Sequence, residues 1–225
     1  MNTGKIEKKS VKSKGWDWSL VPENYWDEVA DEFLPVAYRW KNLKKKTVLD
    51  IGCGRGRHSL FLAEMGFDVT ATDISPEGIE QLHQEAKKRK LEGKIKTVVC
   101  DMLELPFQND SFDGVLGFLS ITHTDYAGLK KVITKITGML KKSGRLYVTF
   151  NSKHSNGFRF KSNVKIDKYT IIKTHGFEKG IPHTYLGYED IIELLKNYKL
   201  LKMQEIHDFY DKIISVHFFV EAEKN

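Results

Sequence analysis

From Thr47 onward, short runs of apolar and β-branched residues alternate with longer stretches whose apolar positions recur every three or four residues. The short runs are TVLDIG from Thr47, DVTATDI from Asp68, KIKTVVCD from Lys94, FDGVLGFL from Phe112 and RLYVTF from Arg145. Between them, helical spacing runs from Arg57 to Met65, closed by Gly66, then from Pro76 to about Lys90, and from about Tyr126 to Leu140. The second helix carries its own start signal, with Ser75 as N-cap, Pro76 at the first position and Glu77 in the first turn. Strands alternating with helices imply βαβ crossovers, and so predict an α/β fold: a doubly wound, mostly parallel sheet with helices on both faces.

Both ends of the chain depart from that rhythm. Upstream, Trp26, Val29, Phe33, Ala37 and Trp40 recur at helical spacing interrupted at Pro35, which predicts one or two cap helices within residues 16–46. After the core at 47–150, residues 151–186 show no βαβ unit and read as an insertion that caps a substrate. Residues 187–225 return to a helix, YEDIIELLKNY, and two strands, LLKMQEIHDF and KIISVHFFVEAE. The turn at Tyr210 and Asp211 is so short that it can join only antiparallel neighbours.

Composition narrows the class. A chain of 225 residues with 40% hydrophobic content fills one α/β domain. Cys53 and Cys100 lie outside any CxxC or CxxH pattern, so neither a disulfide framework nor a cysteine metal site is expected, and reduced thiols point to the cytoplasm. No apolar run approaches the roughly 20 residues of a membrane span, and no signal-peptide core is found at the N-terminus. The net charge of +6 is concentrated in residues 1–14, where Lys5, Lys8, Lys9, Lys12 and Lys14 against Glu7 give +4 and leave +2 for the rest. Residues 1–15 read as a solvated, disordered basic tail. With the remainder nearly neutral, the electrostatic drive for nucleic-acid binding is weak.

The candidate chemistry starts at DIGCGRG, where Gly52, Gly54 and Gly56 open a helix directly after a strand. Missing β-carbons let that backbone approach a ligand, and the helix start offers free N–H groups. A dinucleotide fold places a third glycine where this chain has Arg57, so the GxGxxG pattern fails. Three acidic residues end three successive strands. Asp50 suits an ammonium group, Asp73 the hydroxyls of a ribose, and Asp101 an adenine amino group, with Met102 or Leu103 beside the ring. No basic group is placed for phosphates. Ammonium, ribose and adenine together describe S-adenosylmethionine.

The stretch LDIGCGRGRHSLFLAEMGFDVTATDIS, followed by CDMLELPFQNDSFDGVLGF and MLKKSGRLYVTF, resembles the class I, seven-strand S-adenosylmethionine-dependent methyltransferases, small-molecule type, from Thr47 to Phe150. The resemblance implies a seven-stranded sheet with a reversed C-terminal strand. It assigns Asp50, Gly52 and Gly54 to the methionine part of the donor, with Cys53 and Gly56 in the same loop, Asp73 and Ile74 to ribose and adenine, Asp101, Met102 and Leu103 to the adenine edge, and Phe118 and Leu119 to the sulfonium side. Tyr25 and Trp26 are expected to close the donor pocket from the N-terminal side. His123, just after the fourth strand, is the candidate general base or substrate-binding residue. His58 reads as a helix-packing or cofactor-side residue rather than a base. His154, His175 and His183 are spaced like no compact metal-ligand set, so no metal is expected and they read as pocket lining or exposed. The implied partner is a small-molecule methyl acceptor. The Asp/Asn-Pro-Pro-aromatic block of the family's amino-methylating nucleic-acid members is replaced by GFLS. Action on protein or nucleic acid, and donor binding without turnover, remain the alternatives.

Overall fold

The structure, a computed structural model, describes residues 13–16, 18, 21, 27–176 and 178–225. Its elements are α1 (Leu34–Asn42), β1 (Thr47–Ile51), α2 (Arg57–Glu64), β2 (Asp68–Asp73), α3 (Pro76–Lys88), β3 (Ile95–Val99), β4 (Phe112–Gly117), α4 (Tyr126–Met139), β5 (Leu140–Ser152), α5 (Asn156–Arg159), β6 (Val164–Lys165), β7 (Thr170–Ile172), β8 (Pro182–Leu186), α6 (Tyr188–Leu194), β9 (Tyr198–Tyr210) and β10 (Ile213–Lys224). The α2, α3 and α4 boundaries fall within two residues of the expected ones, because local signals set them. The Ser75 hydroxyl, for example, accepts from Gly78 N to start α3.

β1 to β5 run parallel in the order β3-β2-β1-β4-β5, and β10 continues the sheet antiparallel to β5 with β9 beyond it. This is the seven-strand sheet with one reversed strand. β1 is central, and four of its five residues are buried, as expected of a strand covered on both faces. One apolar layer unites Leu129, Val132 and Ile136 of α4 with Ile191 of α6. The opposite layer unites Trp40 of α1, Leu62 of α2 and Leu82 of α3. Trp40 is fully buried against β4, where a Cβ at Gly114 would lie 2.8 Å from its ring.

The N-terminal region differs from the pattern reading, since Val29 lies outside any helix and α1 begins only at Leu34. Pro35 does not interrupt a helix. It stands in the first turn of α1, where its missing N–H costs no bond. Residues 151–186 hold the end of β5 and a three-stranded antiparallel sheet, β6-β7-β8, whose β8 pairs in parallel with the last two residues of β5. Among the described residues, no helix is long and apolar enough to cross a membrane.

Candidate active site

Chain order creates the crevice. From β1 the chain moves outward through β2 and β3, then crosses to β4 on the other side of β1, so the loops leaving β1 and β4 diverge at the carboxyl end of the sheet. The two loops are locked together at their roots. The Ser120 hydroxyl donates to Ile51 O at 2.5 Å, and a Cβ on Gly52 would lie 2.4 Å from the Ser120 Cβ. Gly52, Gly54 and Gly56 all have positive φ, at 69°, 55° and 85°. Leu119 also adopts a left-handed φ of 51°, and its N–H donates to the Thr149 hydroxyl. For a residue with a bulky side chain this conformation costs energy, and it turns the chain sharply at the end of β4.

A cavity of about 1290 Å³ follows the crevice. One half is lined by Asp50, Gly52, Cys53, Gly54, Gly56, Asp73, Ile74, Met102, Phe118 and Leu119. These assigned residues therefore do converge. Asp101 and Leu103 are not among the lining residues. The Asp101 carboxylate accepts from Leu103 N at 2.8 Å, capping the short 3-10 turn at Met102–Glu104, and Leu103 turns into the core. Tyr25 and Trp26 lie outside the described residues.

The two carboxylates of this half differ. Asp50 is buried, and desolvation lifts its pKa from 3.8 to about 6 although the Ser59 hydroxyl donates to it at 2.6 Å. Asp73 accepts from Ser75 N on one oxygen and Gly54 N on the other, both at 2.8 Å, so it fixes the glycine loop against the end of β2. Burial raises its pKa too, against the pull of those backbone donors. Each of its oxygens retains a further lone pair for a ligand hydroxyl.

The N-terminal approach is where the structure departs most from the sequence reading. Ser13, Lys14 and Gly15, read as part of the basic tail, lie in the cleft. The Ser13 hydroxyl donates to Asp101, a Cβ on Gly15 would meet the Ile74 side chain at 2.5 Å, and Lys14 Nζ donates to Lys179 O. Trp18 follows, its ring so close to Gly54 that a Cβ there would lie 2.4 Å away. The Arg55 guanidinium stacks over that ring, 5.1 Å from its centroid, and donates to Trp18 O and Val21 O. Residues 1–12 lie outside the described residues.

The other half of the cavity gathers His123, Asn151, Lys173, His175, Glu178, His183, Tyr185 and His217. Backbone bonds bring distant segments into contact here. Thr184 N donates to Thr122 O at 2.9 Å and the Thr184 hydroxyl to Thr124 O at 2.6 Å, while Asn151 Nδ2 bonds both Thr122 Oγ1 and Thr184 O. His123 and His183, the neighbours of those threonines, are thereby set side by side with ring centroids 4.7 Å apart. Desolvation, reinforced by His183, depresses the His123 pKa to about 3, so its ring is neutral. Glu178 stays ionised despite burial, because His183, Lys173 and His123 hold its carboxyl far below the usual range. His217 is likewise lowered by burial, to about 4. His175 and His183 line the cavity, whereas His154 is exposed. His58 packs edge-on to Phe33 at 5.3 Å, with burial keeping it neutral.

The residues present fit S-adenosylmethionine. Gly52 and Gly54 leave a cradle without side chains, and the carboxylates of Asp50 and Asp73 stand at the ends of adjacent strands. Beside the loop, Trp18 Nε1 is buried with no hydrogen-bond partner among the described residues, a donor that a bound ligand would satisfy. The sheet order, the glycine loop and this crevice give the chain the α/β, Rossmann-like fold of the methyltransferases.

Residues 48–144 match the family model described as a methyltransferase domain. Among curated proteins, the chain is 27% identical over 198 residues to a ubiquinone biosynthesis O-methyltransferase of Pelagibacter ubique, covering 78% of this chain and 79% of that protein. It is 27% identical over 140 residues to the O-methyltransferase rstn1 of Aspergillus nomiae, covering 57% of this chain and 61% of that protein, less than two thirds of its length. A solved S-adenosylmethionine-dependent methyltransferase from Methanosarcina mazei shares the fold with a TM-score of 0.70 at 20% identity, over 88% of this chain and 98% of that one.

Proposed function

We propose that this protein transfers a methyl group from S-adenosylmethionine to a small-molecule acceptor bound between His123 and the β6–β8 sheet. The observation that carries this reading is the two-part cavity, in which a glycine cradle with strand-end carboxylates opens directly onto a pocket lined by His123, His183 and His217. The donor supplies a methyl group already activated on a sulfonium, so no nucleophilic side chain is required of the protein. What the chain contributes is binding and alignment.

In this reading Asp73 holds the ribose hydroxyls, Asp50 receives the ammonium, and Met102 and Ile74 flank the adenine, with Asp101 and Leu103 shaping that edge from behind. Phe118 and Leu119 border the passage between the two halves. His123 lines the acceptor side of the cavity. With a pKa of about 3 it is a poor resting place for a proton, so its part is to orient the acceptor rather than to act as a free-standing base. The β6–β8 sheet and α5 cap the acceptor and set its identity. A small acceptor suits a pocket walled by that sheet, and the curated relatives named above are O-methyltransferases. Its two free cysteines fit a reducing compartment, the cytoplasm.

Titration calorimetry tests the reading. S-adenosylhomocysteine should bind and NAD should not. Asp73→Ala should weaken binding by roughly ten- to several-hundred-fold, the loss of a hydrogen bond to a charged group worth about 1.5–3 kcal/mol, with circular dichroism showing a folded variant. A parent protein that binds NAD and ignores S-adenosylhomocysteine would overturn it.

A further inference from the structure

Alignment of an acceptor does not account for everything in its pocket. His123 Nε2 lies 3.7 Å and His183 Nε2 lies 3.0 Å from the same oxygen, Oε1 of Glu178, and all three atoms lie within 4.8 Å of one another. We infer that His123, Glu178 and His183 form a binding site for a divalent transition-metal ion of the zinc class, whose open coordination position takes the oxygen or nitrogen of the methyl acceptor. The inference rests on the function proposed above for the role of that open position, but the metal site itself stands on its own geometry.

The hydrogen positions argue first. His183 Nδ1 is 3.0 Å from the Ile181 carbonyl, which can only accept, so Nδ1 donates there and Nε2 is the nitrogen turned to the cluster. That Nε2 lies 3.0 Å from a carboxylate oxygen. Either a proton or a metal ion can bridge the two. A proton on His183 Nε2 would serve this pair alone. It leaves unexplained why the half-buried His123 brings its own Nε2 to the same oxygen, at a distance too long for a hydrogen bond. An ion bound at about 2.0–2.1 Å to tetrahedral ligands sets them about 3.3 Å apart, and 3.0 and 3.7 Å bracket that edge.

The surroundings are those of a held ligand set. The His183 N–H to a backbone carbonyl fixes ring and tautomer, as outer partners of metal-bound histidines do. Lys173 pairs with Oε2 of Glu178 and leaves Oε1 to the cluster. The Thr184 bonds to Thr122 and Thr124 hold the two histidines in register. Two imidazoles and one carboxylate, with at least one position free, are a donor set for zinc or a related ion. A hydroxyl acceptor in the free position would lose its proton to solvent more readily: the O–H bond breaks, and the oxygen keeps the pair and stays on the ion. A second trio, His154, Glu205 and His207, is exposed on the surface and serves as a control.

The test is calorimetric titration of the chelator-stripped full chain with Zn²⁺, with Co²⁺ as a spectroscopic probe. The parent should bind one equivalent and give the visible absorption of tetrahedral Co²⁺. Glu178→Gln and His183→Ala should each weaken Zn²⁺ binding beyond the roughly 10–100-fold typical of losing an outer-shell partner. His154→Ala should leave it unchanged, and S-adenosylhomocysteine affinity should hold in all three. Circular dichroism checks folding, and His123→Gln replaces any variant that does not fold. A parent that binds no Zn²⁺, or binding that survives in the site variants, would overturn the site. Zn²⁺ binding by a parent that ignores S-adenosylhomocysteine would overturn instead the function on which the role of the open position depends.

Discussion

The two halves of the cavity are built on opposite plans. The donor half is local: Asp50 to Gly56 is one uninterrupted turn, Asp73 closes it from the neighbouring strand, and backbone N–H groups do most of the holding. The acceptor half is assembled from afar, with His123 from the loop after β4, Glu178 from the turn before β8, His183 from β8 and His217 from β10. Where the backbone makes the site, the requirement falls on glycine and on strand ends. Where side chains make it, the requirement falls on the hydrogen bonds that bring the segments together.

Gly52 offers the hardest break between the halves. Any side chain there must adopt a left-handed φ and overlap Ser120, so Gly52→Val should cost about 2–5 kcal/mol and abolish donor binding, read by thermal melting and calorimetry. Retained donor affinity in that variant would show that the root of the two loops is not what shapes the cradle.

Asp50 gives a pH signature confined to the donor half. Its folded pKa of about 6 exceeds the ordinary 3.8, so the folded state holds the proton more tightly. Its stabilising contribution is complete below about pH 4, falls as the pH rises to about 6, and is gone above that, a loss of about 3 kcal/mol. Denaturant titrations of the ligand-free protein should show this slope, and Asp50→Asn should flatten it.

The acceptor half responds differently. His123→Ala should lower turnover by roughly 10²-fold, the scale of a misplaced reactant, while S-adenosylhomocysteine affinity stays within about twofold. A matching loss in both would mean the two halves do not separate. The smallest effects belong to the N-terminus. Removing residues 1–12 should leave donor affinity unchanged. Extending the deletion through Trp18 should weaken it several-fold, because Ser13, Gly15 and Trp18 wall the donor half.

The same contrast decides what could be read from the sequence. The glycine loop, the strand-end acids and the α3 cap are written in neighbouring residues, and their positions in the chain predict their positions in space. Asp101 shows the limit of that logic. It stands at the end of β3 as expected, but one of its oxygens also caps a turn and accepts from Ser13, contacts that its position in the chain does not announce. Pro35 was ambiguous because the same residue breaks a helix or begins one. Ser13 to Gly15 carry no apolar pattern, and their place depends on single contacts to Asp101 and Ile74. Glu178 has no signal of its own, since only the pairing of β7 with β8 and of Thr184 with Thr122 turns it toward His123. His154, His175 and His183 share one segment, whereas the ring beside His183 is that of His123, in the loop after β4. His217 was findable in principle: it shares a strand face with Phe219, and both line the cavity.

The attachment of β8 has a consequence for motion. Seven residue pairs join β10 to β5, but only two, Asn151 with Tyr185 and Ser152 with Leu186, join β8 to it. Few ladder bonds join the small sheet to the main one, with Thr184 and Asn151 supplying the other ties, so its opening should precede that of the central strands and its amides should exchange sooner. Such opening would uncover the acceptor pocket while the strands that carry Asp50 and Asp73 stay folded, so a molecule can enter or leave through sub-global unfolding without disturbing the donor.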